Sequence, residues 1–317
     1  MSPSSPVGIP SACGPVSTAV LTYLTHDDRP SLPTALEAGD ERDHALALWV
    51  LFELSYRGFD GVDEDLEWDP ALIALRGLLE DELERDLRRD WEAWTGPRDL
   101  VGLVEHDAER DGTAGFVRRD ATRDDVLEIL KQKSIYHLKE ADPHSFVLPR
   151  LEPAPKAALA ELQYDELGDG DPDRVHMHLF AQAMEAAGLD PRYGAYVDEA
   201  SASTLTLSNA MSMLCLRRRL RYAAMGHLAA FEGTSSLPSA DMVRGLRRLG
   251  FDERVVLYYD EHVEADAVHE HLARRDICER MTQGDEDLER EVAFGAWVCL
   301  ELEARNAATL LPVQAAA

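Results

Sequence analysis

Three residues near the carboxyl-terminal end of the chain have the types and the spacing of metal ligands. His262, Asp266 and His269 occupy positions i, i+4 and i+7, so on an α-helix their side chains share one face, about one turn apart. Two imidazoles and a carboxylate on one helix face suit iron, manganese or zinc. The alternative is a solvated helix rich in histidine and acid, whose charged groups bind nothing.

A second group of candidate ligands surrounds the segment DELGDGDPDRVH, residues 165–176. The segment predicts a helix that ends at Glu166, a glycine-containing turn and a new helix near Asp173, which together fold Glu166 back toward His176. His178 points to a different helix face, so we take His176 as the ligand. An EF-hand calcium loop is excluded, because its sixth and twelfth positions hold arginine and phenylalanine here. Without a metal, the segment is an acidic loop between helices.

Two further carboxylates lie where apolar residues predominate. Glu140 stands in the segment YHLKEADPHSFVL, and Glu232 follows the apolar run YAAMGHLAAF. A carboxylate on an apolar helix face costs free energy unless it is paired or binds a metal. Each acid taken alone also fits a helix end, where polar groups are common. The candidate metal ligands are therefore Glu140, Glu166, His176, Glu232, His262, Asp266 and His269.

Helices must carry all of these residues. Apolar residues recur at helical spacing from about residue 36, and no strand-type alternation persists beyond a few residues. The sequence therefore predicts an all-α fold without internal repeats. Helical patterns cover about 70–90, 98–110, 124–140, 155–166, 174–187, 204–231, 240–249, 252–275 and 286–310. We divide the chain into an extended or partly ordered arm rich in Pro, Ser, Gly and Thr (1–33), a helical amino-terminal extension (34–122) and a helical core (123–312).

The overall charge narrows the range of partners. The 317 residues include 60 acids against 32 lysines and arginines, a formal net charge of −28. Such a surface repels phosphate backbones and anionic lipids, so we expect no nucleic-acid or membrane partner. The four cysteines match no zinc module, and we find neither a signal peptide nor a bilayer-length apolar run, so we expect a cytoplasmic protein.

Taken in order, the seven candidate ligands resemble the pattern of the haem-oxygenase-like diiron oxidases and oxygenases. That pattern is a Glu, then a Glu with a His about ten residues later, then a Glu, and finally His-x3-Asp-x2-His. Every element is present here, within about residues 125–310. The segment DELGDG is close to the family's usual DEYGxG form, with Leu167 in place of tyrosine. The resemblance does not explain the first 120 residues beyond their being a helical extension.

The resemblance implies a helical bundle that binds no haem and holds two irons between its core helices. In this family, Fe(II) and O2 form a peroxo-diiron(III) species that oxidises a small metabolite. We expect an amino acid as substrate, with desaturation, fragmentation or cyclisation as the reaction in natural-product biosynthesis. N-oxygenation of an amine or amino acid is the alternative reaction. Glu140 and Glu232 are the acids we expect to bridge the irons or to cap one of them.

Further residues are candidates for roles around the metal. Arg221 precedes Glu232 by eleven residues, three helical turns, and is our candidate partner for a substrate carboxylate. Its alternative role is to neutralise nearby acids. Tyr136 lies within a turn of Glu140 and is a candidate to contact the substrate or to support the metal ligands from outside. We expect Glu53 to be a solvated acid. An electron donor and a homodimeric partner are also possible.

Two other classes of protein match parts of the sequence. A metal-free, thiaminase-like bundle enzyme would need a cysteine nucleophile, for which Cys215 is the candidate, although no activating group is evident near it. A ferritin-like iron-binding protein would carry paired Glu-x-x-His motifs, whereas the only such spacing among the seven candidate ligands is Asp266-x-x-His269.

Overall fold

The computed structural model describes residues 7–37, 40–108, 110 and 112–311, and within them the side chains outside 264–268. These residues form helices, and the only strand-like pairing among them is a single bridge between Val7 and Phe59. The predicted all-α fold is therefore confirmed. Of the helices in these ranges, none combines the length and the apolar character that a bilayer crossing requires.

The helices of the amino-terminal part carry little of the predicted site but cover much of the core. They are α1 (Pro15–Thr25), α2 (Glu41–Glu53), α3 (Pro70–Ala93), α4 (Leu100–Asp107), α5 (Thr113–Arg119) and α6 (Arg123–His137). Helix α1 packs on α2, and α5 packs on a long helix of the carboxyl-terminal part. The division of the chain at about residues 33 and 122 stays a prediction.

The carboxyl-terminal part supplies most of the predicted ligands. It contains α7 (Asp142–Ser145), α8 (Pro153–Glu166), α9 (His176–Ala187), α10 (Ala202–Leu216), α11 (Arg221–Arg248), α12 (Glu253–His271), α13 (Arg280–Thr282) and α14 (Glu286–Leu310). A π-helix, Leu272–Glu279, joins α12 to α13. The central helix is α11, which packs along both α12 and α14.

The segment predicted to be an extended arm contains α1. Pro15 occupies its first turn, where the missing N–H costs nothing. Asp43 of α2, which is buried, accepts hydrogen bonds of 2.8 Å from the backbone N–H groups of Val16 and Ser17. The helix therefore depends on a cap from 27 residues away in sequence, which local composition does not reveal.

The single helical stretch predicted over 204–231 is interrupted between α10 and α11. Arg217 adopts an extended backbone, and a 3-10 turn follows it. Its guanidinium binds the carboxylate of Glu80 in α3, and Arg219 binds Glu84 one turn further along α3. Arg217 and Arg219 thus neutralise acids of α3, because the break directs these side chains toward that helix.

The helix predicted separately over 240–249 is continuous with α11. Pro238 lies inside α11 and removes one backbone hydrogen bond. Contacts with α12 hold α11 on both sides of the proline: Ser236 Oγ donates to the carbonyl of Val263, and Arg247 lies 3.4 Å from Asp260. Packing against one neighbouring helix therefore overrides the local helix-stop signal.

Two glycines allow α11 and α14 to cross with their backbones in contact. A Cβ on Gly295 would overlap the carbonyl of Ala223, and one on Gly226 would overlap the carbonyl of Val292. Neither clash can be relieved by rotating a side chain, because the opposing atoms belong to backbone. The crossing therefore requires glycine at both positions.

We expect Gly295→Ala to lower the free energy of unfolding by about 1–3 kcal/mol, since the added methyl must push α11 and α14 apart. The matched control is Gly77→Ala inside α3, where the nearest atom to an added Cβ is 3.8 Å away. That change should stabilise the chain by up to about 1 kcal/mol, because alanine favours helix. Urea unfolding of both variants measures the change in the free energy of unfolding. Equal changes in the two variants would contradict the contact between the backbones of α11 and α14.

Candidate metal centre

Glu140, His176 and His262 form the first of two buried clusters. One potential ligand atom from each lies within 4.8 Å of the others. Glu140 follows α6, which ends at His137 rather than at the predicted residue 140, while His176 begins α9 and His262 lies in α12. The cluster therefore joins three separate elements in the interior.

Glu166, Glu232 and His269 form the second cluster, with the same spread of ligand atoms. They come from the last residue of α8, from α11 and from α12. All three side chains are buried. Each cluster therefore contains one histidine of α12, as the shared helix face predicted for His262 and His269.

Glu166 lies between the two clusters. Its Oε2 is 3.0 Å from Nδ1 of His176, in the first cluster, and its Oε1 is 3.4 Å from Nδ1 of His269, in the second. The two oxygens of one carboxylate thus face different clusters. This arrangement is suited to a carboxylate shared by two metal ions.

The turn after α8 folds Glu166 back toward His176, as predicted. Gly168 has φ +72°, and a Cβ there would lie 2.7 Å from the backbone of Arg174 and Val175. Glycine is therefore required both for the left-handed backbone and for the close approach. The new helix begins at His176 rather than near Asp173, which places His176 at its first position.

Hydrogen bonds fix which nitrogen of each α12 histidine faces its cluster. Nδ1 of His262 lies 2.6 Å from the carbonyl oxygen of Tyr258, which can only accept a hydrogen bond. Nε2 of His262 therefore faces Glu140, 3.7 Å from its Oε1. Nε2 of His269 lies 2.6 Å from Oδ2 of Asp165, which turns Nδ1 toward Glu232 at 3.3 Å. Such partners orient metal-binding histidines.

Glu140 is held as a carboxylate by neighbouring donors. Tyr258 donates its hydroxyl hydrogen to Oε2 of Glu140 at 2.7 Å and lies 2.7 Å from Nδ1 of His137. Burial alone would raise the pKa of Glu140, but His137 and His262 lower that pKa to well below its usual value. Glu140 is therefore a negatively charged carboxylate at neutral pH, the form that binds a metal ion.

His269 balances the negative charge of the second cluster. Burial alone would lower its pKa, but the hydrogen bond and charge of Glu232, together with Glu166 and Asp165, raise the pKa to about 9. In the metal-free chain His269 is therefore an imidazolium at neutral pH, protonated on both ring nitrogens. A metal ion bound there would displace one of these protons and supply the positive charge instead.

The structure brings six of the seven predicted ligands together. The side chain of Asp266 lies outside the described residues. Tyr136 is buried next to His137, with its ring edge-on to Phe231. Arg221 lies at the start of α11, eleven residues and about 16 Å along the axis from Glu232. Its guanidinium donates to the carbonyl of Arg218 and to Tyr222.

Asp165 and Tyr258, which contact the clusters from outside, were not among the residues predicted from the sequence. Asp165 directly precedes Glu166, and Tyr258 lies one turn before His262. Adjacency to a predicted ligand was the available signal in both cases. Their partners, His269 and Glu140, are 104 and 118 residues away, so the contacts themselves depend on the tertiary fold.

The donor set fits two ions of a first-row transition metal. The described residues of the clusters offer three carboxylates and three imidazoles. Carboxylate oxygens and imidazole nitrogens are together typical ligands of non-haem iron. Burial of all six side chains keeps competing water away from the ligand atoms.

We expect Asp165→Ala to weaken Fe(II) binding at the second cluster by about 10- to 100-fold, the range found for outer partners of metal ligands. Without Asp165, His269 loses the acceptor that orients its ring. The control is Asp173→Ala, which removes an exposed acid from the turn that follows α8. Anaerobic Fe(II) titration measures both affinities, and equal losses would show that only the net charge of this region matters.

Comparison with known proteins gives a family and several similar solved structures. The family model for iron-containing redox enzymes matches residues 127–304. Two crystal structures of a CADD-like protein of unknown function from Nostoc punctiforme PCC 73102 are similar. One has a TM-score of 0.49 and 16% identity, covering 72% of this chain and 98% of that chain. The other has a TM-score of 0.46 and 15% identity, covering 74% and 98%. A search of curated proteins found no match.

Proposed function

Because the chain belongs to the family of iron-containing redox enzymes, we propose that it is a non-haem diiron oxidase that uses O2 to oxidise a small metabolite. Family membership confirms the resemblance and the haem-oxygenase-like bundle expected from the sequence. The observation that carries the proposal is the position of Glu166, whose two oxygens face different clusters.

Each cluster would hold one iron. Glu140, His176 and His262 would bind the first, and Glu232 and His269 would bind the second. Glu166 would bridge the two ions, and Asp266 would be the seventh ligand, as the sequence predicts. When bound, two irons supply O2 with the electrons that a single Fe(II) cannot provide.

The protein's own residues prepare this chemistry. His137 and His262 keep Glu140 ionised, and Tyr258 donates a hydrogen bond to its Oε2. Asp165 and the carbonyl of Tyr258 hold the two α12 histidines in the orientation that binding requires. The buried surroundings exclude bulk water, which protects a reactive oxidant from side reactions.

The leading substrate is an amino acid, oxidised at a C–H bond with desaturation, fragmentation or cyclisation as the outcome in natural-product biosynthesis. N-oxygenation of an amine is the second candidate, favoured by the charges around the clusters. Asp165 adds a further carboxylate beside His269, while Arg221 lies about 16 Å along α11 from Glu232. Acidic surroundings attract a protonated amine and repel a free carboxylate.

The metal-free alternative, with Cys215 as nucleophile, is disfavoured by the surroundings of that thiol. Cys215 is buried, and burial raises its pKa far above the usual value. A thiol nucleophile reacts as the thiolate, which forms near neutral pH only where the pKa is lowered. Cys215 would therefore stay protonated and unreactive.

An anaerobic Fe(II) titration followed by mixing with O2 tests the proposal. We expect two Fe(II) per chain, and almost none in the double variant His262→Ala/His269→Ala, which removes one ligand from each cluster. The control is His178→Ala, which removes a histidine of α9 that lies outside both clusters. A parent chain that binds no Fe(II), or a double variant that binds like the parent, would overturn the proposal.

The same O2 reaction separates the two candidate chemistries. The Fe(II)-loaded chain is mixed with O2 across a panel of amino acids, amines and fatty acids, and absorption is followed by stopped flow. The compound that accelerates the reaction is the substrate. Mass spectrometry of its product distinguishes a gain of oxygen, expected for N-oxygenation, from a loss of two hydrogens, expected for desaturation.

A further inference from the structure

A buried ion pair involves the residue next in sequence to Glu140 of the first cluster. Nζ of Lys139 is 2.7 Å from Oε1 of Glu53, and the two residues are 1% and 0% exposed. Glu53, expected from the sequence to be solvated, is the last residue of α2, in the amino-terminal extension. Lys139 directly precedes the candidate ligand Glu140.

The surroundings of the pair enclose it completely. Tyr193 donates its hydroxyl hydrogen to the same oxygen of Glu53 at 2.6 Å, and the ring of Tyr56 lies 4.5 Å from Nζ of Lys139. Taking two charges out of water is costly, and their mutual attraction offsets this cost only where the geometry is favourable. A pair this deeply buried therefore constrains both of its chain segments.

Arg57 makes a second set of contacts to the same segment. Its guanidinium donates to the carbonyl of Leu138 at 2.9 Å and lies 3.5 Å from the carboxylate of Asp142. Together with the ion pair, contacts from residues 53–57 hold positions 138, 139 and 142, on both sides of Glu140. Ala141 within this segment has φ +71°, a strained conformation for alanine that surrounding structure must maintain.

We propose that Glu53 and Arg57 are positioning residues for Glu140, so that the amino-terminal extension forms part of the metal site. The inference rests on the proposed function, because it assigns iron to the first cluster. The Glu53–Lys139 pair sets the position of the Glu140 backbone, and Arg57 holds the flanking carbonyl and carboxylate. Their loss should weaken metal binding at the first cluster and leave the second cluster unchanged.

The test removes the pair without leaving a lone buried charge. The double variant Glu53→Leu/Lys139→Met is prepared in two backgrounds: His269→Ala, which disables the second cluster, and His176→Ala, which disables the first. Anaerobic titration with Fe(II) then reports each cluster separately. We expect a loss of about 10- to 100-fold in affinity in the His269→Ala background and no measurable change in the His176→Ala background.

Two further variants control for general damage to the fold. Arg57→Met tests the second set of contacts, leaves the buried pair intact and should weaken the same cluster. The pair of Glu80 and Arg217, which links α3 to the segment after α10, is replaced as Glu80→Leu/Arg217→Met. This control should change neither cluster.

The outcomes distinguish this inference from the proposed function. Equal losses in both backgrounds, or no loss in either, would overturn the positioning role. If the parent chain itself binds no Fe(II), the proposed function fails before the variants are compared. If the parent binds two Fe(II) and the Glu53→Leu/Lys139→Met variant binds them with the same affinities, only the positioning role fails.

Discussion

Replacing Glu166 by alanine is expected to abolish stable Fe(II) binding at both clusters, whereas replacing any other described ligand should disable only one. The reason is geometric: its two oxygens lie 3.0 Å and 3.4 Å from histidines of different clusters. Loss of outer partners alone costs about 10- to 100-fold in metal affinity. We therefore expect a shared ligand to cost more than about 100-fold at each cluster.

Anaerobic equilibrium dialysis with Fe(II) measures this effect as metal bound per chain. At concentrations that load the parent with two ions, Glu166→Ala should retain almost none, and its reaction with O2 should be lost. His176→Ala and His269→Ala should each retain about one ion. The control is Glu161→Ala, an exposed acid of the same helix. One ion retained by Glu166→Ala would show that Glu166 serves a single metal.

The candidate ligands could be named from the sequence because together they match the family pattern, and short-range geometry accounts for part of that pattern. His262 and His269 share a face of α12 through helical periodicity alone. Glu166 and His176 meet because a glycine turn reverses the chain within ten residues. Glu140 and Glu232 could be recognised because a carboxylate among apolar residues needs a partner. In each case the informative signal lies within a few turns of the residue itself.

The features that the sequence did not reveal depend on partners far apart along the chain. Glu53 follows an apolar run, as Glu232 does, but it is the last residue of its helix, where an acid is usually solvated. Its partner Lys139 is 86 residues away. The break at Arg217 depends on Glu80 of α3, 137 residues earlier. Periodicity describes one helix at a time, so it cannot identify contacts that form only when helices pack.

The net charge of −28 illustrates the same limit. Composition treats all 60 acids alike, whereas burial separates them into chemically different groups. Most lie at the surface, where they are solvated. Glu140, Glu166 and Glu232 are buried beside histidines, and Glu53 is buried beside a lysine. The electrostatics of the interior therefore depend on a few positions, which an overall charge does not identify.

Replacing Lys139 alone by methionine should lower the free energy of unfolding by about 3–5 kcal/mol, the cost of breaking a buried ion pair by removing one partner. The variant leaves the carboxylate of Glu53 fully buried, with the Tyr193 hydroxyl as its remaining donor. The double variant Glu53→Leu/Lys139→Met should recover most of this loss, because it removes both charges and fills the space with apolar atoms. Urea unfolding of the metal-free chains isolates stability from iron binding. A Lys139→Met chain as stable as the parent would show that water reaches Glu53. The pair would then not be enclosed, and the positioning role that depends on its enclosure would fail.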